Sequence, residues 1–187
     1  QGPIDDAFLS SFLVVTPSGK SSNPLVERWV QFELAHFLHR WESLYRGSPR
    51  VKQDKEVTQD DLARHNLVLW GTPESNSLIL QLAANNSKPG SHRLPLEWSA
   101  RNVTIGTQKF SSDEHLPVMI YPNPLNPDRY VVFNSGPTHR EGHDRTNSLQ
   151  NPKLPDWAII NLAEPPTNLV PGTIVATGLF DESWQPR

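Results

Sequence analysis

The chain has 187 residues, enough for one domain, 1–187, with a sizeable core. It carries 17 basic and 20 acidic side chains with no block of like charge, so the composition gives no electrostatic footprint for nucleic acid or an anionic membrane. Cysteine is absent, which excludes thiolate metal clusters, disulfide frameworks and a cysteine nucleophile, and no apolar run approaches the ~20 residues of a bilayer-spanning helix.

The sequence starts at Gln1 with neither an initiator methionine nor a signal peptide, which leads to the expectation of a processed or excised piece. Eighteen prolines and no thiols suit an extracytoplasmic, secreted or periplasmic protein. Gln1 to Leu9, with Asp5 and Asp6, reads as a lead-in from a preceding domain. Phe12 to Val15 is a buried-strand run. Asn23 is an N-cap and Pro24 a first helical residue. Val26, Val30, Leu34, Phe37, Trp41 and Leu44 then recur at three and four residues, an apolar stripe down one face. Gly47, as a left-handed cap, and Pro49 are expected to end this helix.

"RVKQDKEV" reads as a solvated connection, and Thr58 to Asp61 as a capping box with Val57 and Leu62 as its hydrophobic staple. "NLVLW" predicts a second buried strand and "SLILQLAAN" a helix. Further on, "VTIGTQKF" predicts a hairpin turning near Gly106. "VMIYP" and "YVVFNSG" predict strands joined by the proline-rich "NPLNPDR", and "WAIINL" and "VATGLFD" supply two more. The polar stretch from Thr138 to Asp156 reads as a long loop. Strand, helix, strand, helix in this order points to parallel strands with helical crossovers. The expected fold is a three-layer, Rossmann-like α/β domain: a central, largely parallel sheet with flanking helices, a β-hairpin and antiparallel edge strands.

"SFLVVTPSGKSSNPLVERW" has the layout of a phosphate loop, but the position that needs the first glycine is Val14. A tight turn with a solvated Lys20 is the better reading. If the two strands are neighbours, the helix starts at Ser22-Asn23 and Ser75-Asn76 share one sheet edge. Their free N–H groups could then hold a small anion or hydroxylated ligand, although caps satisfied by their own side chains are the stronger expectation.

No Gly-x-Ser-x-Gly elbow occurs, and Ser135 is followed by Gly136-Pro137, which would not open a helix. In "HREGHDR", His139 and His143 are four apart, but Gly142 argues against a helix and the His-Glu-x-x-His order is not met. His139, Arg140 and His143 therefore read as a solvated loop that could dock onto a neighbouring domain. Trp29 and Trp41 belong to the long helix and Trp70 to a strand. Trp98, Trp157 and Trp184 lie in turn-rich contexts where exposed rings could stack on sugars, with partial burial the commoner fate.

The strings "QGPIDDAF", "NLVLWGTPESN", "LPVMIYPNPLNPDRYVVFNSG", "LPDWAIINL" and "GLFDESW" resemble the C-terminal domain of large bacterial serine hydrolases. Those are multidomain carboxylesterases, among them feruloyl and carbohydrate esterases of plant cell-wall degradation, or prolyl-oligopeptidase-like proteins. The resemblance covers nearly the full chain. It implies a non-catalytic accessory domain, without cofactor or metal, whose partner is the catalytic α/β-hydrolase domain of the same polypeptide. The alternative is a carbohydrate-binding module that meets plant polysaccharide through Trp98, Trp157 or Trp184.

Overall fold

The computed structural model describes residues 2–85, 93–144 and 151–187. In chain order the first half gives β1 (Phe12–Thr16), α1 (Pro24–Tyr45), β2 (Val51–Gln53), α2 (Gln59–Arg64), β3 (Asn66–Leu69) and α3 (Ser77–Asn85). The second half gives β4 (Leu96–Trp98), β5 (Asn102–Ile105), β6 (Gln108–Ser111), β7 (His115–Asn123), β8 (Asn126–Phe133), β9 (Trp157–Asn161) and β10 (Thr173–Gly178). Seven strands form one sheet in the order β10-β9-β7-β8-β3-β1-β2, and β4-β5-β6 form a small antiparallel sheet. Strands β2, β1, β3 and β8 pair in parallel, while β7 runs antiparallel to both β8 and β9, and β10 antiparallel to β9. Only β7 and β10 thus oppose the common direction, so the sheet is mostly parallel.

Side chains alternate between faces, and both faces are buried, which is why these strands read as continuous apolar runs. Phe12, Val14, Val68, Val118, Val132 and Ile160 join Val26, Trp29, Val30 and Phe37 of α1 in one core. Leu13, Val15, Leu67, Leu69, Phe133 and Ile159 join Leu78, Ile79 and Leu82 of α3, with Val103 and Ile105 of the small sheet, in the other. The result is three layers, with α1 on one face and α3 plus the small sheet on the other. Each fully buried aliphatic or aromatic side chain contributes about 1.5–3 kcal/mol of transfer free energy.

Local signals set most boundaries. Asn23 Oδ1 accepts from Leu25 N at 2.9 Å, with Pro24 at the first helical position. Thr58 and Asp61 exchange both bonds of the capping box. Gly106 takes φ 57° at the hairpin turn. No helix of the described residues is long and apolar enough to cross a membrane.

Four expectations need correction. The left-handed residue that closes α1 is Arg46, at φ 55°, not Gly47. "RVKQDKEV" is not merely a connection: Val51–Gln53 is edge strand β2, in register with Val14–Thr16 of β1. Its outer side faces solvent, so Val51 and Gln53 are exposed and no apolar pattern marks it. The first residues are more than a lead-in. Ile4–Phe8 form a 3-10 turn whose Ile4 and Ala7 are fully buried, and Asn66 Nδ2 donates to Ala7 O at 2.9 Å. Finally, the strands run into "NPLNPDR": Asn123 and Asn126 still pair, leaving only Pro124 and Leu125 as the turn.

Candidate functional site

Because β1 and β3 are neighbours, their two helix-start junctions meet, with Gly19 N donating to Ser75 O at 2.9 Å. A Cβ on Gly19 would lie 3.1 Å from that oxygen, so the close approach favours glycine. The cap residues singled out there all have protein partners. Asn23 caps α1, and Asn76 Oδ1 accepts from Leu78 N at 3.0 Å while its Nδ2 donates to Trp70 O at 2.9 Å. Ser22 donates from N and Oγ to Glu74 at 2.9 and 3.0 Å, and Ser75 Oγ accepts from Thr72 N at 3.0 Å. Lys20 is exposed.

An acid already sits where an anion would be sought. Asp54, just after β2, accepts from Ser18 N at 2.9 Å and Ser77 N at 2.5 Å. Burial opposes its charge, but these bonds hold its carboxyl below the usual range. Asp54 belongs to the stretch read as solvated linker, and with its partners Ser18 and Ser77 at 36 and 23 residues' distance no local signal marks it.

Beside this junction lies an open cleft of about 740 Å³, lined by Ser22, Glu74, Trp98, Ser99, Asp113 and His115 among others. Trp98 is half-buried there. The other two tryptophans do not offer free faces. Trp157 is 3% exposed, inside the core on β9, which corrects the expectation that it could be exposed. Trp184 packs on Tyr121, Tyr130 and Phe180 with ring centroids 5.6–5.9 Å apart.

The "HREGHDR" segment departs most from expectation. Rather than a solvated loop, it docks on α1, with His139 and Arg140 buried at 8% and 7% exposure. Glu33, His36 and Arg40 stand at i, i+3 and i+7 on one helix face. Arg140 Nη2 donates to Glu33 Oε2 and Arg140 Nη1 to Thr167 O. His36 Nε2 bonds Glu141 Oε2 at 3.0 Å, and Arg40 makes a two-pronged pair with Asp144 at 2.8 and 3.0 Å. His143 Nδ1 accepts from Arg140 N at 3.0 Å. The charges interlock as three rungs across roughly 100 residues of chain. Residues 145–150, the remainder of the predicted loop with its second arginine, lie outside the described residues.

Two buried polar atoms on these rungs have no partner among the described residues: Glu33 Oε1 and Arg40 Nε. Burial pushes the Glu33 carboxyl up against the pull of Arg140. Burial also opposes the charge on Glu141, but the His36 bond prevails and holds that carboxyl low, while the Arg40 bond does the same for Asp144. His139 is pushed down by burial, and its ring makes no hydrogen bond among the described residues. Between α1 and this segment lies a cavity of about 210 Å³, lined by Trp29, Phe37, Trp41, Ser135, His139 and Leu169 among others.

Ser135 borders that cavity without a histidine partner. It follows Asn134, at φ 52°, whose amide bonds both N and O of Gly71. Its Oγ donates to Gly136 O at 2.8 Å. Among the described residues the hydrogen bond between a serine hydroxyl and an imidazole is Ser11 Oγ to His65 Nδ1, 2.8 Å, at the opposite, N-terminal ends of β1 and β3. Sequence reading missed it, since the two are 54 residues apart and meet only because their strands pair. No protein-family model matches this chain, and no curated protein or solved structure matches it either.

Proposed function

We propose that this chain is a C-terminal, non-catalytic accessory domain of a secreted bacterial carboxylesterase of the carbohydrate or feruloyl ester class. It packs against the α/β-hydrolase portion that carries the nucleophile, and works outside the cytoplasm on plant cell-wall material. The β2-β1-β3 order, with α1 and α3 on opposite faces, supports a Rossmann-like reading of its first half. One observation carries the docking role. Leu169, Val170, Ile174, Val175 and Leu179 are 43–62% exposed along edge strand β10 and its flanking turns. Five aliphatic side chains on one edge form the kind of surface that a partner domain covers. The register shift between Ile174 and Ala176 blunts the strand edge, so contact is made by side chains rather than by adding a strand.

Hydrogen exchange tests this directly, comparing the isolated chain with the same chain joined to its hydrolase portion. Slower exchange over 169–179 in the joined protein is expected. Equal exchange overturns the docking role, and aryl-ester turnover by the isolated chain overturns the accessory role.

A second reading rests on Trp98, which borders the 740 Å³ cleft together with hydroxyl and carboxyl groups of Ser22, Ser99, Glu74 and Asp113. A ring beside such groups suits a sugar. Titration with xylan or cello-oligosaccharides should then change tryptophan fluorescence, and Trp98→Ala should remove the change. An unchanged spectrum at millimolar sugar ends this reading.

A further inference from the structure

We infer that the cavity between α1 and the 134–144 segment is a binding site for a small, uncharged, single-ring molecule carrying one hydroxyl group, with His139 as its hydrogen-bonding anchor. Size and lining select the ring. About 210 Å³ exceeds the space that an engineered apolar cavity needs to take benzene (~150 Å³), yet falls short of a drug-sized pocket. Trp29, Phe37 and Trp41 supply aromatic walls, and Val118, Leu154 and Ile160 add aliphatic ones.

Charge selects a neutral ligand. The charged groups at the rim already have counter-groups, Glu33 with Arg140 and Arg40 with Asp144. What is left unpaired among the described residues is one acceptor, Glu33 Oε1, and one donor, Arg40 Nε, which a neutral hydroxyl can answer without displacing either pair. His139 selects the hydroxyl. Its side chain lines the cavity, is more than nine-tenths buried, and has no hydrogen bond among the described residues. A neutral imidazole offers one donor and one acceptor, and a hydroxyl answers either. Buried polar groups are seldom left unpaired. The lining holds two such atoms, Glu33 Oε1 and Arg40 Nε, beside an imidazole with no hydrogen bond to a described residue, so the polar end of the cavity points to a ligand that supplies a partner.

The inference does not depend on the docking role, since the test uses the isolated chain. Benzyl alcohol and toluene share a ring and differ by the hydroxyl. Each is titrated into the chain with ring-labelled histidine, followed by NMR. Benzyl alcohol is expected to bind roughly three- to ten-fold more tightly than toluene and to shift the His139 ring nitrogens. His139→Phe should bring the two affinities together. Equal affinities in the unaltered chain, unmoved His139 resonances, or no binding of either compound would overturn the site. The His139 ring shifts decide the matter even if the His139→Phe chain fails to fold.

Discussion

Helix α1 touches two polar regions, and they differ in a way that the sequence inverts. At its first turn, the Ser22-Asn23 and Ser75-Asn76 junction looks like a phosphate site, yet its backbone N–H groups are taken by the side chains of Asn23, Asn76 and Glu74, and Asp54 fills the spot with negative charge. Along its middle, Glu33, His36 and Arg40 face a segment that looks like solvated loop, yet two polar atoms there are buried without partners among the described residues. A junction whose helix-start N–H groups are capped is finished as structure. Buried groups with unspent hydrogen bonds around a cavity are where a ligand gains most.

The sharpest way to break this contrast is at Arg140. Arg140→Ala leaves Glu33 buried beside an empty place, and should cost about 3–5 kcal/mol in urea denaturation. The double variant Glu33→Leu, Arg140→Met removes both charges and should recover most of that loss. If the single variant costs less than about 1 kcal/mol, the value measured for exposed pairs, the middle of α1 is solvated after all and the contrast fails.

Next in size is Gly136→Ala, which tests whether the segment is pressed on the helix. A Cβ there would lie 2.5 Å from the Phe37 ring, so overpacking of about 1–3 kcal/mol is expected. Thermal unfolding that is unchanged would mean that the segment lifts off freely. On the junction side, Asn76→Ala should cost about 1–2 kcal/mol and Asn23→Ala about 1 kcal/mol. Asn76 is buried and loses its bond to Trp70 O as well as its cap, whereas the Nδ2 of Asn23 reaches the more open Asp113 O. Equal losses in chemical denaturation would remove the distinction between a buried and a half-buried cap.

What the sequence made legible follows from whether the signal is local. The α1 stripe, the Asn23 and Thr58 caps, the Gly106 turn and the buried runs of β1, β3 and β8 are written within a few residues, and they form as read. Edge strand β2 was hidden because its Val51 and Gln53 face solvent, so neither alternation nor an apolar run marks it. The rungs on α1 were hidden for another reason: Glu33 is separated from Arg140 by 107 positions, and a charged loop far along the chain reads as solvated until its counter-charges are located. One local clue existed. Glu33 interrupts the apolar stripe between Val30 and Phe37, and an acid on the buried face of a helix requires a partner.

The smallest expected effect is a difference in pH dependence, and it separates the two kinds of buried acid. Burial opposes the charge on Asp61, but bonds from Lys52 and Thr58 outweigh it and lower its carboxyl to about 2. A lowered acid stabilises the fold above its unfolded value near 3.8, and this contribution is lost as pH falls through about 2. Glu33 has the opposite sign: its raised carboxyl favours the fold below 4.5, and that contribution is lost as pH rises through its folded value. Lys52→Met removes the bond of 2.7 Å that lowers Asp61, so its urea midpoint should fall less than that of the unaltered chain between about pH 5 and about pH 2.5. Glu33→Gln removes the opposing contribution, so its midpoint should fall more as pH is lowered from above toward about 4.5. Parallel acid profiles for all three chains would show that the middle of α1 and the Asp61 turn hold their acids alike, and would erase the difference between an acid raised by burial and one lowered by its bonds.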